Sequence, residues 1–218
     1  MVAMTLEALQ DQLDRSLAWR KKEIAALRRA ATRASTSRSY YCRAGTVMLC
    51  AHWEGFLKDA VGKYLKFVFS RNLGADRLAP PFVAIAFYGC VKRAADATFP
   101  GAEHHHIELA KKIQAGGRLV ADWDVSTGGN PSSAVFSDIL RSIGLDPHLG
   151  KDVAEWSVLK VFIDSQILAD RHKIAHGEGL PVPHEEFYGR SSRVIEICEE
   201  LAGAIMKAAK SKEYLLPG

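Results

Sequence analysis

Residues 39–69 constrain this chain more than any other stretch. They contain no proline, and Leu49, Trp53, Phe56, Ala60, Tyr64 and Phe67 recur three or four positions apart. That is the period of one helix face. Leu57, Val61, Leu65 and Val68 widen the stripe. A long helix that is apolar over so broad a face has to pack against several neighbours, which predicts a central helix in a bundle. On it, Glu54 and Lys58 stand four apart in the favourable acid-first order.

The neighbours are read in the same way. Residues 5–34 lack Pro and Gly and carry Leu6, Leu9, Leu13, Leu17, Ile24 and Leu27 at helical spacing. Ser35-Thr36-Ser37 breaks the run and can cap the next helix. Pro80-Pro81 opens a helix over 82–97. Residues 98–130 are less regular. They hold His104-His105-His106, a short helical run to about 114, Gly116-Gly117, and a 119–123 stretch that reads as a short strand or as loop. The histidine triplet reads as a solvated loop or helix start. Asn130-Pro131 reads as an N-cap followed by proline in the first helical position, before Val135, Ile139, Leu140 and Ile143; Gly144 ends that helix. Residues 152–175 form a further helix. Pro181 and Pro183 precede a last one, striped by Val194, Cys198, Leu201, Ile205 and Ala208. The tail 215–218 is expected to be loose. The fold class is all-α: an antiparallel helical bundle, one domain over residues 1–218 with an irregular insertion at about 98–130.

Composition allows this and excludes little. The chain has 218 residues, 48% of them hydrophobic and 25% charged, enough for one well-filled core. The net charge of +4 permits an anionic partner without demanding one. Arg15, Arg20, Lys21, Lys22, Arg28, Arg29, Arg33, Arg38 and Arg43 crowd a stretch whose only acid is Glu23. Such a run is either a solvated helix surface or a face that tracks a phosphate backbone. Cys42, Cys50, Cys90 and Cys198 form no CxxC pair, so neither a zinc site nor a disulfide framework is indicated, and a reduced, cytoplasmic setting fits. The N-terminus is polar and amphipathic rather than a signal peptide, and no apolar run is long enough for a membrane span.

The chemistry gathers near residue 171. Trp156, Leu159, Ile163 and Ile167 step along one face, and the next position in the series is Arg171. An arginine on an apolar face is costly unless it is paired or used, and it cannot shed its proton. Its anion is either a carboxylate, with Glu54 the intramolecular choice, or a phosphate. Answering the helix dipole near a C-terminus is the plainer role. His176 lies five residues on, about 140° around a continuous helix. Either the helix ends between the two, or two copies converge across a symmetry axis; Gly177 favours an ending there. His172 and His176, four apart, share a face. As a metal pair they would lack the glutamate of HExxH, since Lys173 sits beside His172, and an adjacent cation opposes binding.

Leu168-Ala169-Asp170-Arg171-His172-Lys173-Ile174-Ala175-His176-Gly177-Glu178 resembles the signature "L-x-x-R-N-x-I-A-H-G-E" of the HEPN superfamily (higher eukaryotes and prokaryotes nucleotide-binding), with His172 where Asn is usual. Ala51-His52-Trp53-Glu54-Gly55-Phe56-Leu57-Lys58, with Tyr64 beyond, resembles the "A-H-W-E-G-F-x-K" helix of bacterial HEPN-like nucleases. Asn130-Pro131-Ser132 leading to Ile139 and Gly144-Leu145 resembles their middle block. The three blocks span residues 40–180.

The resemblance implies a helical fold, a symmetric homodimer with the site at its interface, and RNA cleavage without metal or other cofactor. It also implies frequent service in toxin–antitoxin or antiviral systems, where a cognate antitoxin is a partner. Arg171 and His176 are the implied catalytic pair, supported by His172, Glu54 and Lys58. Glu54 would orient Arg171, and Lys58 would touch a phosphate. A histidine suits transfer of the 2′-OH proton, and an arginine suits the charge of the phosphorane. The alternatives are a non-catalytic HEPN dimer that binds a nucleotide or a protein, and a scaffolding partner that binds through the basic N-terminal helix.

Overall fold

The computed structural model describes residues 3–217; Met1, Val2 and Gly218, the outermost parts of the leader and tail readings, lie outside it. Helix α1 (Leu6–Arg33) starts where the Thr5 hydroxyl caps the Ala8 amide. Its stripe of Leu9, Leu13, Leu17 and Ile24 is buried. Helix α2 (Arg38–Phe69) is the central element foreseen from the stripe: Leu49, Trp53, Phe56, Leu57, Ala60, Val61 and Tyr64 are all buried. The last helix, α8 (His184–Ser211), packs against both, so α1, α2 and α8 enclose the main core. Trp53 and Phe136 meet edge-to-face with ring centroids 4.9 Å apart, as do Tyr64 and Phe82 at 5.8 Å.

Between them run α3 (Pro80–Asp96), α4 (Glu103–Ala115), α5 (Ser133–Ser142) and α6 (Val153–Val161). A π-helical segment, Phe162–Ala169, and α7 (Asp170–Ala175) continue α6 without a break. The only strand-like pairing among the described residues is an isolated antiparallel bridge between Leu78 and Leu215.

Two expectations are corrected, and one open alternative is decided. The helix after Asn130-Pro131 does not start there. Ser132 is its N-cap, and the Asp164 carboxylate accepts both the Ser133 amide at 2.7 Å and its hydroxyl at 2.6 Å. Pro131 stays outside because its carbonyl is taken by the Trp53 indole N–H at 3.0 Å. The tail is anchored through Leu216: Ala79 N–H donates to Tyr214 O at 2.9 Å, and Leu216 N–H donates to Arg77 O at 3.0 Å. Tyr214 is buried edge-on against Phe67, which supplies the apolar anchor that composition alone hides. Of the two readings of residues 119–123, strand or loop, the loop holds. These residues run extended past α2 and α3, with Leu119 N–H on Leu73 O and Asp122 N–H on Ile85 O.

Part of the basic N-terminal stretch serves the bundle itself. Arg20 is buried, donates to Ser16 O at 2.8 Å and stacks on Trp19 and Phe56. Arg28 donates to Ser192 Oγ at 2.8 Å and covers Tyr188; Arg38 donates to Ala34 O at the end of α1. These side chains tie helices together rather than line an open phosphate track. All four cysteines are free thiols.

Candidate functional site

The site is built on the run from α6 to α7. Asp152 and Glu155 close a capping box at its start. The run then widens into the π-helical segment, a geometry that concentrates at functional sites. Phe162, Ile163, Ile167 and Leu168 anchor this segment in the core. Its far end is defined by backbone alone. Gly177 N–H donates to Ile174 O at 3.1 Å, and Glu178 N–H to Lys173 O at 3.0 Å, a Schellman ending with Gly177 at φ +85°. Arg43 from α2 holds the exit by donating to Glu178 O at 2.7 Å.

Arg171 turns inward and is half-buried. Its Nη2 donates to Gly129 O at 2.8 Å, while its Nε–H is buried without a hydrogen-bond partner. No carboxylate stands within ion-pair distance of it among the described residues. The neighbouring Cys50 thiol is 2% exposed. Burial pushes that thiol up, against the pull of the Arg171 charge and hydrogen bond. His176 is the C-cap of α7 and stands exposed beside His172, with ring planes 5° apart and centroids separated by 6.2 Å. Within one copy Arg171 thus faces in and His176 faces out.

Glu54 lies elsewhere than on Arg171. It accepts the Thr127 hydroxyl and sits 3.6 Å from Lys58 Nζ. It holds the loop, and the loop presents the Gly129 carbonyl to Arg171. Trp53 steadies the same loop through Pro131. His52 points away, buried against α1 with Glu23 Oε2 at 3.3 Å and Trp19 edge-on. Burial lowers its pKa; Glu23 opposes this and Arg20 adds to it.

A family model described as RiboL-PSP-HEPN matches residues 15–207. The chain belongs to the RiboL-PSP-HEPN family. The all-α fold agrees with that membership. No curated protein and no solved structure matches the chain. HEPN domains as a class act as nucleases or bind nucleotides, and they commonly bind RNA and dimerise. Among the described residues no helix is long and apolar enough to cross a membrane.

In this RiboL-PSP-HEPN chain the motif helix has supports that sequence reasoning missed. Arg190 of α8 is 5% exposed and donates to Gln166 O at 2.8 Å, inside the π-helical segment. It also pairs with Asp170 Oδ2 at 2.6 Å and with Glu186. Asp170 immediately precedes Arg171, so this ion pair positions the helix that carries the motif. The signal was available: Arg190 interrupts the stripe between Phe187 and Val194 just as Arg171 interrupts its own. The Gly129 carbonyl and Thr127 carried no such signal, because a backbone acceptor and a small hydroxyl leave no periodic trace.

Proposed function

We propose that this RiboL-PSP-HEPN chain is a metal-independent endoribonuclease that works as a homodimer, in the cytoplasm, as the toxin of a toxin–antitoxin or antiviral defence system. The observation that carries the reading is Arg171: a half-buried guanidinium with a carbonyl and a thiol as neighbours, an unpartnered Nε–H and no counter-ion. Such a group accepts an anion, and phosphate fits its planar donors. The 98–130 segment, read as an insertion into one domain over 1–218, supplies Gly129 to that arginine.

RNA brings its own nucleophile. His176 takes the proton of the 2′-OH as the 2′-oxygen bonds to phosphorus. Arg171 meets the charge that builds on the non-bridging oxygens. The P–O5′ bond breaks, and the leaving 5′-oxygen receives a proton from a second imidazole. In a symmetric dimer that imidazole is the His176 of the other copy, with His172 beside it to orient substrate. Lys58 contacts a neighbouring phosphate, and Glu54 keeps the Thr127–Gly129 loop in place. A cognate antitoxin would act by covering this face.

An oligoribonucleotide with a single 2′-deoxy residue at the cut position tests the chemistry. Cleavage should stop at that position, and the normal products should carry a 2′,3′-cyclic phosphate and a 5′-OH. Cutting at the deoxy residue, or products with a 5′-phosphate, would exclude 2′-OH attack.

A further inference from the structure

The loop that serves Arg171 also forms the wall of a cleft. Residues 118–125, the second half of α2 and the start of α1 enclose about 870 Å³, a volume within the usual range of small-molecule sites. Lys58, Lys63, Lys66 and Arg118 line it, against Asp59 and Asp124. Asp59 is already satisfied. Burial raises its pKa, but hydrogen bonds from Lys63 and Ser16 and the charges of Lys63 and Arg20 outweigh this and hold it below the usual carboxylate value. Lys63 and Asp59 therefore cancel. Lys58 is paired with Glu54, but Lys66 and Arg118 are exposed and form no ion pair among the described residues, and together they outweigh Asp124.

The cleft is not only cationic. Trp123 lines it half-buried, and Val120 is 60% exposed beside it. At Gly62 a Cβ would meet nothing within 4 Å, so α2 is bare at this point. Cations around an aromatic and apolar wall match a nucleotide, with its charged phosphate and flat base.

The cleft also continues from the motif. Lys58 belongs to both, since it lines the cleft and pairs with Glu54. Along α2, Cys50, Glu54, Lys58, Gly62 and Lys66 form one row four residues apart, which climbs about 6 Å and turns about 40° at each step, so the row spirals from the residue against Arg171 into the cleft. Val125 lines the cleft two residues before Thr127. We propose that this cleft holds the single-stranded RNA flanking the phosphate at Arg171, with phosphates on Lys58, Lys66 and Arg118 and a base against Trp123. The proposal rests on the ribonuclease reading and names where its substrate lies.

The test is fluorescence anisotropy of a labelled single-stranded oligoribonucleotide, in a His176→Ala background that keeps the strand intact. Gly62→Leu fills the open floor, Arg118→Glu reverses an exposed charge, and Lys207→Glu on α8 makes the same charge change elsewhere. Thermal melts establish that each variant is folded. Gly62→Leu and Arg118→Glu should each weaken binding by about tenfold or more, Lys207→Glu by less than about twofold, and Arg118→Glu should lower the salt slope by about 1. Cleft variants that are folded and bind like the parent overturn the proposal. So does displacement of the strand by AMP at matched phosphate concentration, which would mark a mononucleotide site, or by an oligoglutamate of equal charge, which would mark a protein site. Cleavage of the same RNA by the unaltered chain is scored separately. RNA bound through the cleft but never cut keeps the cleft and removes the ribonuclease; RNA cut as usual by a chain whose cleft variants bind normally does the reverse.

Discussion

At Arg171 the guanidinium donates to the Gly129 carbonyl, has the Cys50 thiol beside it and meets no carboxylate. Removing it forfeits one exposed-side hydrogen bond, about 1 kcal/mol. Arg171→Ala should therefore melt within a few degrees of the parent; a collapse in Tm would mark the residue as structural. His52 should behave in the opposite way. Burial holds its pKa below the ordinary 6.5, so the unfolded chain binds its proton first. Stability is then lost as pH falls below about 6.5 and recovered above it. Melts of parent and His52→Phe across pH 5–8 should show a shallower acid-side slope in the variant, and equal slopes would deny His52 that role. At this scale the inward Arg171 and the helix end at His176 were legible because a charge in an apolar stripe and a glycine after a helix are local signals. Which anion or acceptor Arg171 meets was not legible. Glu54 had the right charge, but the contact belongs to a backbone carbonyl forty-two positions away in the chain.

Counting by helical steps describes 152–175 as one helix, and the chain does run continuously there. The π-helical widening over Phe162–Ala169 escapes such counting, because it changes which carbonyl each amide reaches without interrupting the apolar residues. Arg190 secures that segment, so Arg190→Ala should cost about 3–5 kcal/mol through loss of a buried ion pair. Hydrogen exchange should then quicken in 164–176 more than in α1; uniform loosening would mean that Arg190 serves the whole bundle. Gly177→Ala places a side chain at φ +85° and should lose about 1–2 kcal/mol, with exchange rising around His176. The α5 start was misread because Asn130-Pro131 has the chemistry of a helix entrance. The true N-cap is Ser132, and Asp164 reinforces the first turn from outside by accepting from Ser133, a tertiary contact no local pattern contains.

For the molecule as a whole, the bundle was legible because α1, α2 and α8 each carry a long apolar stripe, interrupted by Arg20 in α1 and Arg190 in α8, and their burial follows it. The 98–130 excursion was not legible, since its value lies in reaching back to Glu54 and Arg171. With Arg171 inward and His176 outward in one copy, the proposed ribonuclease requires a dimer to complete its site. Sedimentation at micromolar concentration should show it, and a monomer that still cleaves RNA would remove the shared groove. The most direct measurement is the single-turnover rate of RNA cleavage in EDTA by the parent, Arg171→Ala and His176→Ala, each shown to be folded. Both variants should fall by at least about 100-fold, in line with losing a charge-stabilising donor or a general base. Cleavage at the parental rate by either folded variant would contradict the assignment of Arg171 and His176 as the catalytic pair.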